Sequence, residues 1–219
     1  MKTIKFNEPY ITGKELEYIQ DVFAQQRFYG TGKYTNLCEE KIRTITNAKH
    51  ALLTDSCTAA LEITALILRD FNKQQEVIVP SYTFSSTASA FARAGFKIIF
   101  CECDEQNMMM DINDVQQKIT ENTTAIVPVH YGGLAANIRP ICELAEKFNL
   151  VVVEDAAQGF NSSLDNQKIG TFGHFGCFSF HETKNIHCGL GGALLVNDQK
   201  YLNRARHIWE RGTNRQEVL

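Results

Sequence analysis

The sequence lacks several features that would assign it to a special class of protein. Only 4 of its 219 residues are proline and 14 are glycine, so it is neither collagen-like nor a proline-rich linker. Neither sign of charge dominates, because 25 acidic and 22 basic side chains leave a net charge of −3. We therefore expect no sequence-wide attraction to nucleic acid or to an anionic membrane. The composition is that of an ordinary globular domain.

Long apolar runs and a secretory signal are also missing. Stretches such as residues 150–153 and 193–196 are far too short to cross a bilayer. The chain does not begin with basic residues, an apolar run and a small-residue cleavage site. Its seven cysteines are an odd number, and Cys101 and Cys103 form the only close pair, without further ligands at zinc spacing. We therefore expect a cytoplasmic protein with reduced cysteines and no metal site.

Short apolar runs alternate with amphipathic windows along the chain. The runs predict strands at residues 51–54, 76–79, 97–101, 124–129, 150–154, 177–180 and 193–196. The windows predict helices near residues 16–23, 37–45, 58–69, 85–94, 111–119, 140–148 and 202–209, the first with a capping box at Thr12 and Glu15. This alternation predicts an α/β fold with a mostly parallel sheet flanked by helices. Ligands of such sheets bind beyond the carboxyl ends of the strands.

The glycine-rich segments do not match the common nucleotide-binding motifs. Gly30-Thr-Gly32 lacks the third glycine of a dinucleotide fingerprint, and residues 189–192 (GLGG) lie between two predicted strands rather than opening a helix. No P-loop pattern exists in the sequence. A nicotinamide-dependent or P-loop enzyme is therefore disfavoured.

Three weaker signals follow one another in an informative order. Ser56 and Cys57 lie where a strand meets an alanine-rich helix, a geometry that captures phosphate or that simply uses Ser56 as an N-cap. Asp155 ends the most apolar strand, either to pair with a protonated ring nitrogen or to form a turn. Lys184 follows the next strand, as a Schiff-base lysine or as a solvated loop residue. Together they match the requirements of pyridoxal phosphate (PLP).

Four segments give the sequence a family resemblance. Residues 80–88 (PSYTFSSTA), 128–133 (PVHYGG), 153–159 (VEDAAQG) and 178–185 (FSFHETKN) together resemble the DegT/DnrJ-type sugar aminotransferases. The likeness runs from Phe6 to Arg215 and is strongest to the dTDP-4-amino-4,6-dideoxygalactose transaminases. It implies the large domain of an aspartate-aminotransferase-like fold (PLP fold type I), and an active site at a homodimer interface.

The resemblance also implies roles for individual residues. Lys184 resembles the lysine that forms the Schiff base with PLP, Asp155 the partner of the pyridine nitrogen, and Gln158 the residue beside the ring hydroxyl. The remaining cofactor contacts that it implies are the phosphate-binding residues Ser56, Cys57 and Ser179, and the stacking residue Phe84. His130 and Tyr131 lie at a strand end near the site, where an ordinary core pair is an equal alternative.

The implied reaction is a two-stage transamination. L-Glutamate supplies the amino group, which passes to C4 of a dTDP-4-keto-6-deoxyhexose, a nucleotide sugar for surface polysaccharides. Sugar 3-dehydratases of the family carry histidine in place of the lysine, so Lys184 favours an aminotransferase. A non-catalytic fragment or partner subunit that binds PLP or a sugar nucleotide is the alternative.

Two features depart from the family pattern. Leu190 stands where the family's Gly-Glu-Gly-Gly segment has a carboxylate. Family members also continue into the rest of the large domain and a smaller C-terminal domain. We therefore expect residues 1–219 to form an incomplete PLP-binding large domain without the small C-terminal domain.

Overall fold

The structure is a computed structural model that describes residues 3–5 and 7–213. Phe6 and Arg215, the two ends of the family resemblance, lie outside the described residues. The strands are β1 (Ala51–Thr54), β2 (Glu76–Pro80), β3 (Lys97–Cys101), β4 (Thr123–Ile126), β5 (Val151–Asp155), β6 (Ser163–Leu164), β7 (Gln167–Lys168), β8 (Phe175–Ser179) and β9 (Gly192–Val196).

Seven of these strands form one sheet in the order β1-β9-β8-β5-β4-β2-β3. Strand β9 runs antiparallel to its neighbours β1 and β8, whereas the other neighbouring pairs are parallel. The mostly parallel sheet predicted from the alternating pattern is therefore confirmed. The short strands β6 and β7 pair separately as an antiparallel hairpin.

Helices cover both faces of the sheet. They are α1 (Glu15–Gln25), α2 (Lys33–Thr46), α3 (Cys57–Leu68), α4 (Ser85–Arg93), α5 (Ile112–Lys118), α6 (Ile138–Lys147) and α7 (Leu202–Trp209). Helices α3, α4 and α7 contribute to the core on one face, and α5 and α6 to the core on the other. Helix α2 packs against the edge strand β1.

Strand residues alternate between the two cores, as the period of two requires. In β2, Val77 and Val79 pack in the core beneath α3, whereas Ile78 packs in the core beneath α6. All three side chains are fully buried, so the strand reads as a continuous apolar run. Helical cover on both faces is what makes such runs stable.

The predicted elements are present with shifted ends. Strand β4 ends at Ile126, short of the predicted residue 129, although Val129 still forms an isolated bridge with Asp155. Pro140 is the third residue of α6 rather than its first, which is tolerated because first-turn N–H groups have no partner within a helix. Helix α1 begins at Glu15, whose carboxylate accepts hydrogen bonds from the Thr12 N–H and hydroxyl at 2.8 Å. One half of the predicted capping box therefore forms, although Thr12 is not the N-cap.

The β6–β7 hairpin is absent from the sequence prediction. Its two turn residues, Asp165 and Asn166, both have positive φ angles, of 48° and 65°. Aspartate and asparagine tolerate this left-handed conformation better than most residues, which suits a tight two-residue turn.

The strand pairing brings several predicted site residues to one edge of the sheet. Gly192, the first residue of β9, pairs with Thr54 at the end of β1 and with Ser179 at the end of β8. Asp155 ends β5, the other neighbour of β8. The carboxyl ends of β1, β5 and β8 therefore meet at one edge of the sheet.

Two further properties concern membranes and metals. Within the described ranges, no helix is long and apolar enough to cross a membrane. The same residues contain no group of three or more histidine, cysteine, aspartate or glutamate side chains placed to hold a metal ion. All seven cysteines are free, and Cys101 of the close pair is buried.

Candidate active site

A cavity of about 480 Å³ opens at this edge of the sheet. The structure brings every site residue predicted from the sequence to its wall: Ser56, Cys57, Phe84, Asp155, Gln158, Ser179 and Lys184. His130, Tyr131 and Leu190, whose roles the sequence left open, line it as well. Residues from five separate segments therefore converge on one cavity.

The start of α3 presents backbone N–H groups to the cavity. Ser56 is the N-cap, and its hydroxyl accepts a hydrogen bond from the Ala59 N–H at 3.1 Å. The N–H groups of Cys57 and Thr58 have no acceptor among the described residues. A Cβ on Gly192 would lie 2.5 Å from the Cys57 nitrogen, so only glycine allows β9 to approach this turn. Ser56 thus fulfils the ordinary capping role, while the next two N–H groups remain available for an anion.

Asp155 is a buried carboxyl with several local donors. Its Oδ2 accepts a hydrogen bond from the Thr87 hydroxyl at 2.6 Å, and its Oδ1 accepts one from the Ala157 N–H at 3.1 Å. The Cys57 thiol lies 3.9 Å from Oδ1. Burial raises the pKa of this carboxyl, whereas the hydrogen bonds from Thr87 and Ala157 and the nearby Lys184 lower it. Asp155 therefore forms a turn-type hydrogen bond with Ala157 and also lies at the cavity wall, so the two alternatives for this residue do not exclude each other.

The amide of Gln158 has a fixed orientation. Its Oε1 accepts a hydrogen bond from the Gly132 N–H at 2.5 Å, so the amide NH₂ group is left as a donor. Gly132 and Gly133 have φ angles of 63° and 80°, and a Cβ on Gly133 would lie 2.9 Å from the Gln158 carbonyl oxygen. The paired glycines thus allow the backbone turn that holds this side chain.

His130 belongs to a buried polar network that the sequence reading missed. Its Nδ1 accepts a hydrogen bond from the Ala136 N–H at 3.1 Å, so its Nε2 carries the proton and donates to Glu154 at 2.8 Å. The Glu154 carboxylate, fully buried, also accepts hydrogen bonds from the backbone N–H groups of Gly170, Phe172 and Gly173. Four donors therefore satisfy this carboxylate, as burial of a charge requires. The network ties the loop before β8 to the residue preceding Asp155.

Lys184 lies in the loop between β8 and β9. Its backbone N–H donates to the His181 carbonyl at 2.9 Å, and the His181 N–H donates to the Ser179 hydroxyl at 3.3 Å. Among residues 3–5 and 7–213, the Lys184 ammonium has no hydrogen-bond or ion-pair acceptor. It is half-buried at the cavity wall. An unpaired amine in this position is available to react with a bound carbonyl compound.

The N-terminal segment crosses the Lys184 loop. The Asn7 amide donates to the Glu182 carbonyl at 3.1 Å, and the His187 Nε2 donates to the Tyr10 carbonyl at 3.0 Å. These contacts join residues about 175 positions apart, and nothing in the sequence pattern predicts them. They attach the loop that carries Lys184 at two points.

Exposed apolar and aromatic side chains surround the cavity. Phe84, immediately before α4, is 73% exposed, and Leu190 is 67% exposed. The rings of Tyr82 and Tyr131 lie 4.7 Å apart between centroids, with their hydroxyls 3.3 Å from each other. Tyr131 and His130 both line the cavity, but Tyr131 is half-buried, whereas His130 is buried in the network with Glu154.

The chemistry of these groups fits pyridoxal phosphate. Free N–H groups at a helix start suit a phosphate, and a buried carboxyl suits a protonated ring nitrogen. An amide NH₂ group suits a ring hydroxyl, and an unpaired amine suits an aldehyde. The mostly parallel sheet and the chemistry of this cavity match the cofactor-binding region of the PLP fold type I proteins, as the resemblance implied.

The chain belongs to the DegT/DnrJ/EryC1/StrS aminotransferase family, whose model matches residues 9–218. It is 34% identical to a GDP-perosamine synthase of Escherichia coli O157:H7 over 97% of this chain and 58% of that protein. Its fold matches DesI, solved with its TDP-sugar product, with a TM-score of 0.87 at 26% identity, over 95% of this chain and 52% of DesI.

A third similar protein bears on the cofactor. The sugar aminotransferase Spr1654 of Streptococcus pneumoniae was solved with the aminated form of the cofactor, pyridoxamine phosphate (PMP). It matches with a TM-score of 0.87 at 25% identity, over 94% of this chain and 57% of Spr1654. The family and this neighbour confirm pyridoxal phosphate as the cofactor predicted from the sequence. The chain spans about half the length of the relatives it matches.

Proposed function

We propose that this chain contains the cofactor-binding site of a nucleotide-sugar aminotransferase, with Lys184 as its catalytic residue. The observation that carries the proposal is the unpaired Lys184 amine in one cavity with the buried Asp155 carboxyl and the oriented Gln158 amide. Bound pyridoxal phosphate supplies an aldehyde for the amine and a ring that withdraws electrons.

Each cavity residue has a distinct task in this proposal. The N–H groups of Cys57 and Thr58 hold the phosphate together with the Ser56 and Ser179 hydroxyls. Asp155 keeps the ring nitrogen protonated, the Gln158 NH₂ group donates to the ring hydroxyl, and Phe84 stacks on the ring. Once the amino donor has replaced it on the cofactor, the Lys184 amine moves the proton between the substrate carbon and the cofactor.

The proposed amino donor is L-glutamate, and the proposed acceptor is C4 of a 4-keto-6-deoxyhexose joined to a nucleoside diphosphate. The resemblance of the sequence motifs favours dTDP, whereas the similarity to a GDP-perosamine synthase supports GDP. We propose dTDP as the first substrate to test and GDP as the second. We propose that the resulting nucleotide-linked amino sugar is used to build a surface polysaccharide.

We further propose that the active form is a homodimer in the cytoplasm. The family resemblance supports an active site at a dimer interface, and the seven free cysteines support a reducing compartment. The exposed side chains of Phe84 and Leu190 beside the cavity are consistent with a site that a second chain completes.

The decisive test compares the absorbance spectra of the chain and of Lys184→Ala after mixing with PLP. We expect the chain to show the visible band of lysine-bound PLP, and Lys184→Ala to lose it. Lys147→Ala is the matched control, because Lys147 is an exposed residue of α6 outside the cavity, and it should keep the band. An identical band in Lys184→Ala would overturn the assignment.

A second measurement separates an enzyme from a binding fragment. L-Glutamate should bleach the visible band of the PLP-loaded chain if the first half-reaction occurs. A stable band that glutamate does not change would support the alternative of a PLP-binding fragment without turnover. Subsequent addition of dTDP- or GDP-linked keto sugar should restore the band only for the true acceptor.

A further inference from the structure

Two threonine hydroxyls form a chain that ends on the Asp155 carboxyl. The Thr87 hydroxyl donates to Asp155 Oδ2 at 2.6 Å, and the hydroxyls of Thr83 and Thr87 are 2.7 Å apart. Thr87 is completely buried in α4, whereas Thr83 lies at the cavity wall. Both hydroxyls belong to the segment that also places Phe84 beside the cavity.

The direction of the hydrogen bonds from Thr83 through Thr87 to Asp155 follows from the number of protons that each group can donate. A hydroxyl has one proton to donate, and an ionised carboxylate can only accept. When Asp155 is ionised, the Thr87 proton is therefore committed to Oδ2, and the Thr83 hydroxyl donates to Thr87. Hydrogen bonds in such a chain polarise each other, so Thr83 strengthens the bond from Thr87.

Among the described residues, Thr87 is the only one whose side chain donates a hydrogen bond to Asp155 Oδ2. The other contacts of the carboxyl, from the Ala157 N–H and the Cys57 thiol, are made with Oδ1. The titratable groups that face Asp155 are Cys57 of α3, Cys177 of β8, His130 and Lys184. Of these, His130 and Lys184 favour the ionised carboxylate, whereas the buried thiols provide only weak donors.

We propose that Thr87 is a positioning residue for Asp155, and that Thr83 aligns Thr87, so that the two hydroxyls fix the carboxylate toward the cavity in its ionised form. The inference rests on the proposed function for what Asp155 binds. The effect of Thr87 on the position and protonation of Asp155, however, can be measured in the ligand-free chain. Loss of the Thr87 hydroxyl removes a donor to the charged form, so the pKa of Asp155 should rise further.

The test uses three variants of the chain. Thr87→Val removes the hydroxyl with almost no change in volume, Thr87→Ser keeps it, and Thr83→Val removes only the outer hydroxyl. The first readout is the pH titration of the Asp155 carboxyl carbon in ligand-free protein by ¹³C NMR, with Asp155→Asn to assign the resonance. The second is the dissociation constant of PLP as a function of pH.

Thr87→Val should raise the pKa of Asp155 by about one unit or more, since hydrogen bonds to charged groups have this strength. It should weaken PLP binding about tenfold near neutral pH, with the pH midpoint of binding moved upward. Thr87→Ser should remain within about twofold of the parent chain, and Thr83→Val should show a smaller shift in the same direction.

An unchanged Asp155 titration in Thr87→Val would overturn the proposal, even if the melting temperature falls, because a merely structural threonine would lower stability alone. If Thr87→Val does not fold, an unchanged titration in Thr83→Val overturns it. The NMR readout needs no cofactor. A parent chain that binds no PLP would therefore refute the proposed function while the role of Thr87 is still decided.

Discussion

Helices α1 and α3 have nearly the same length, 11 and 12 residues, but opposite environments. Six residues of α3 are buried between the sheet and its neighbouring helices, whereas no residue of α1 is buried. The apolar side chains of Leu16 and Phe23 in α1 are 71% and 64% exposed. Apolar periodicity therefore predicts a helix in both places, but it does not predict what the helix packs against.

The contacts of the two helices explain the difference. Helix α3 lies on β8 and β9 and packs against α4 and α7. Helix α1 is attached to α2 mainly through polar and edge contacts: the Asp21 carboxylate accepts hydrogen bonds from the Lys33 ammonium and the Tyr34 hydroxyl, and the Tyr18 and Tyr34 rings meet edge to face. A sheet provides a broad apolar surface, whereas the end of a neighbouring helix does not.

The carboxyl groups near the starts of these helices also differ. Hydrogen bonds from the backbone N–H of Thr12 and other nearby groups lower the pKa of the exposed Glu15, at the start of α1, to about 2. Asp155, beside the start of α3, is buried, and burial raises its pKa. In α1 the donors decide the direction because water already solvates the charge, whereas near α3 desolvation outweighs the donors.

The largest expected effect is on α3. Leu61 is fully buried in the core between α3 and the sheet, so Leu61→Ala should lower the free energy of unfolding by about 2–5 kcal/mol through lost apolar contact and a cavity. Urea denaturation of the ligand-free chain measures this change. Leu66→Ala on the same helix is the matched control, because Leu66 is 39% exposed and should have a smaller effect. Equal losses would contradict the burial assigned to α3.

A smaller effect depends on pH. Because burial raises the pKa of Asp155 above its ordinary value of 3.8, the folded chain binds this proton more readily than the unfolded chain. Between the ordinary and the raised pKa, the contribution of Asp155 to the free energy of unfolding therefore falls as pH rises. Asp155→Asn, similar in volume and uncharged, should remove this fall in the ligand-free chain, as urea titrations across that range would show.

Glu15→Gln provides the opposite case for the same titrations. Because the pKa of Glu15 is lowered, its contribution to the free energy of unfolding is fully present above its ordinary pKa of 4.5 and is lost as pH falls toward about 2. Glu15→Gln should therefore leave the dependence above pH 4.5 unchanged. If Asp155→Asn behaved in the same way, the raised pKa of Asp155 would be wrong.

The sequence predicted the sheet, and the gathering of the candidate site residues at one cavity, better than the contacts between distant segments. The cores of β2 and β5 are continuous apolar runs, which a sheet covered on both faces explains. Asp155 ends β5, and Lys184 lies in the loop after β8. The turn of β6 and β7 was missed because Asp165 and Asn166 follow a strand of only two residues, too short for a periodic signal.

The supporting residues of the site were harder to find. Thr87 appears in the sequence as one small residue in a run of serine, threonine and alanine, and only the packing of α4 against the sheet shows that it meets Asp155. His130 and Glu154 form a pair because β4 and β5 are neighbours, which depends on strand order. Contacts between distant segments do not follow from local patterns.

The smallest expected effect is on α1. Leu16→Ala removes an exposed side chain from a helix without buried residues, and alanine favours helix formation, so the free energy of unfolding should change by no more than about 0.5 kcal/mol. Urea denaturation beside Leu61→Ala gives the direct contrast, since both variants remove the same atoms. A loss above 1 kcal/mol that is independent of protein concentration would mean that Leu16 packs within the same molecule. A loss that grows with protein concentration and vanishes on dilution would instead show that α1 packs between molecules, because association stabilises a chain by mass action.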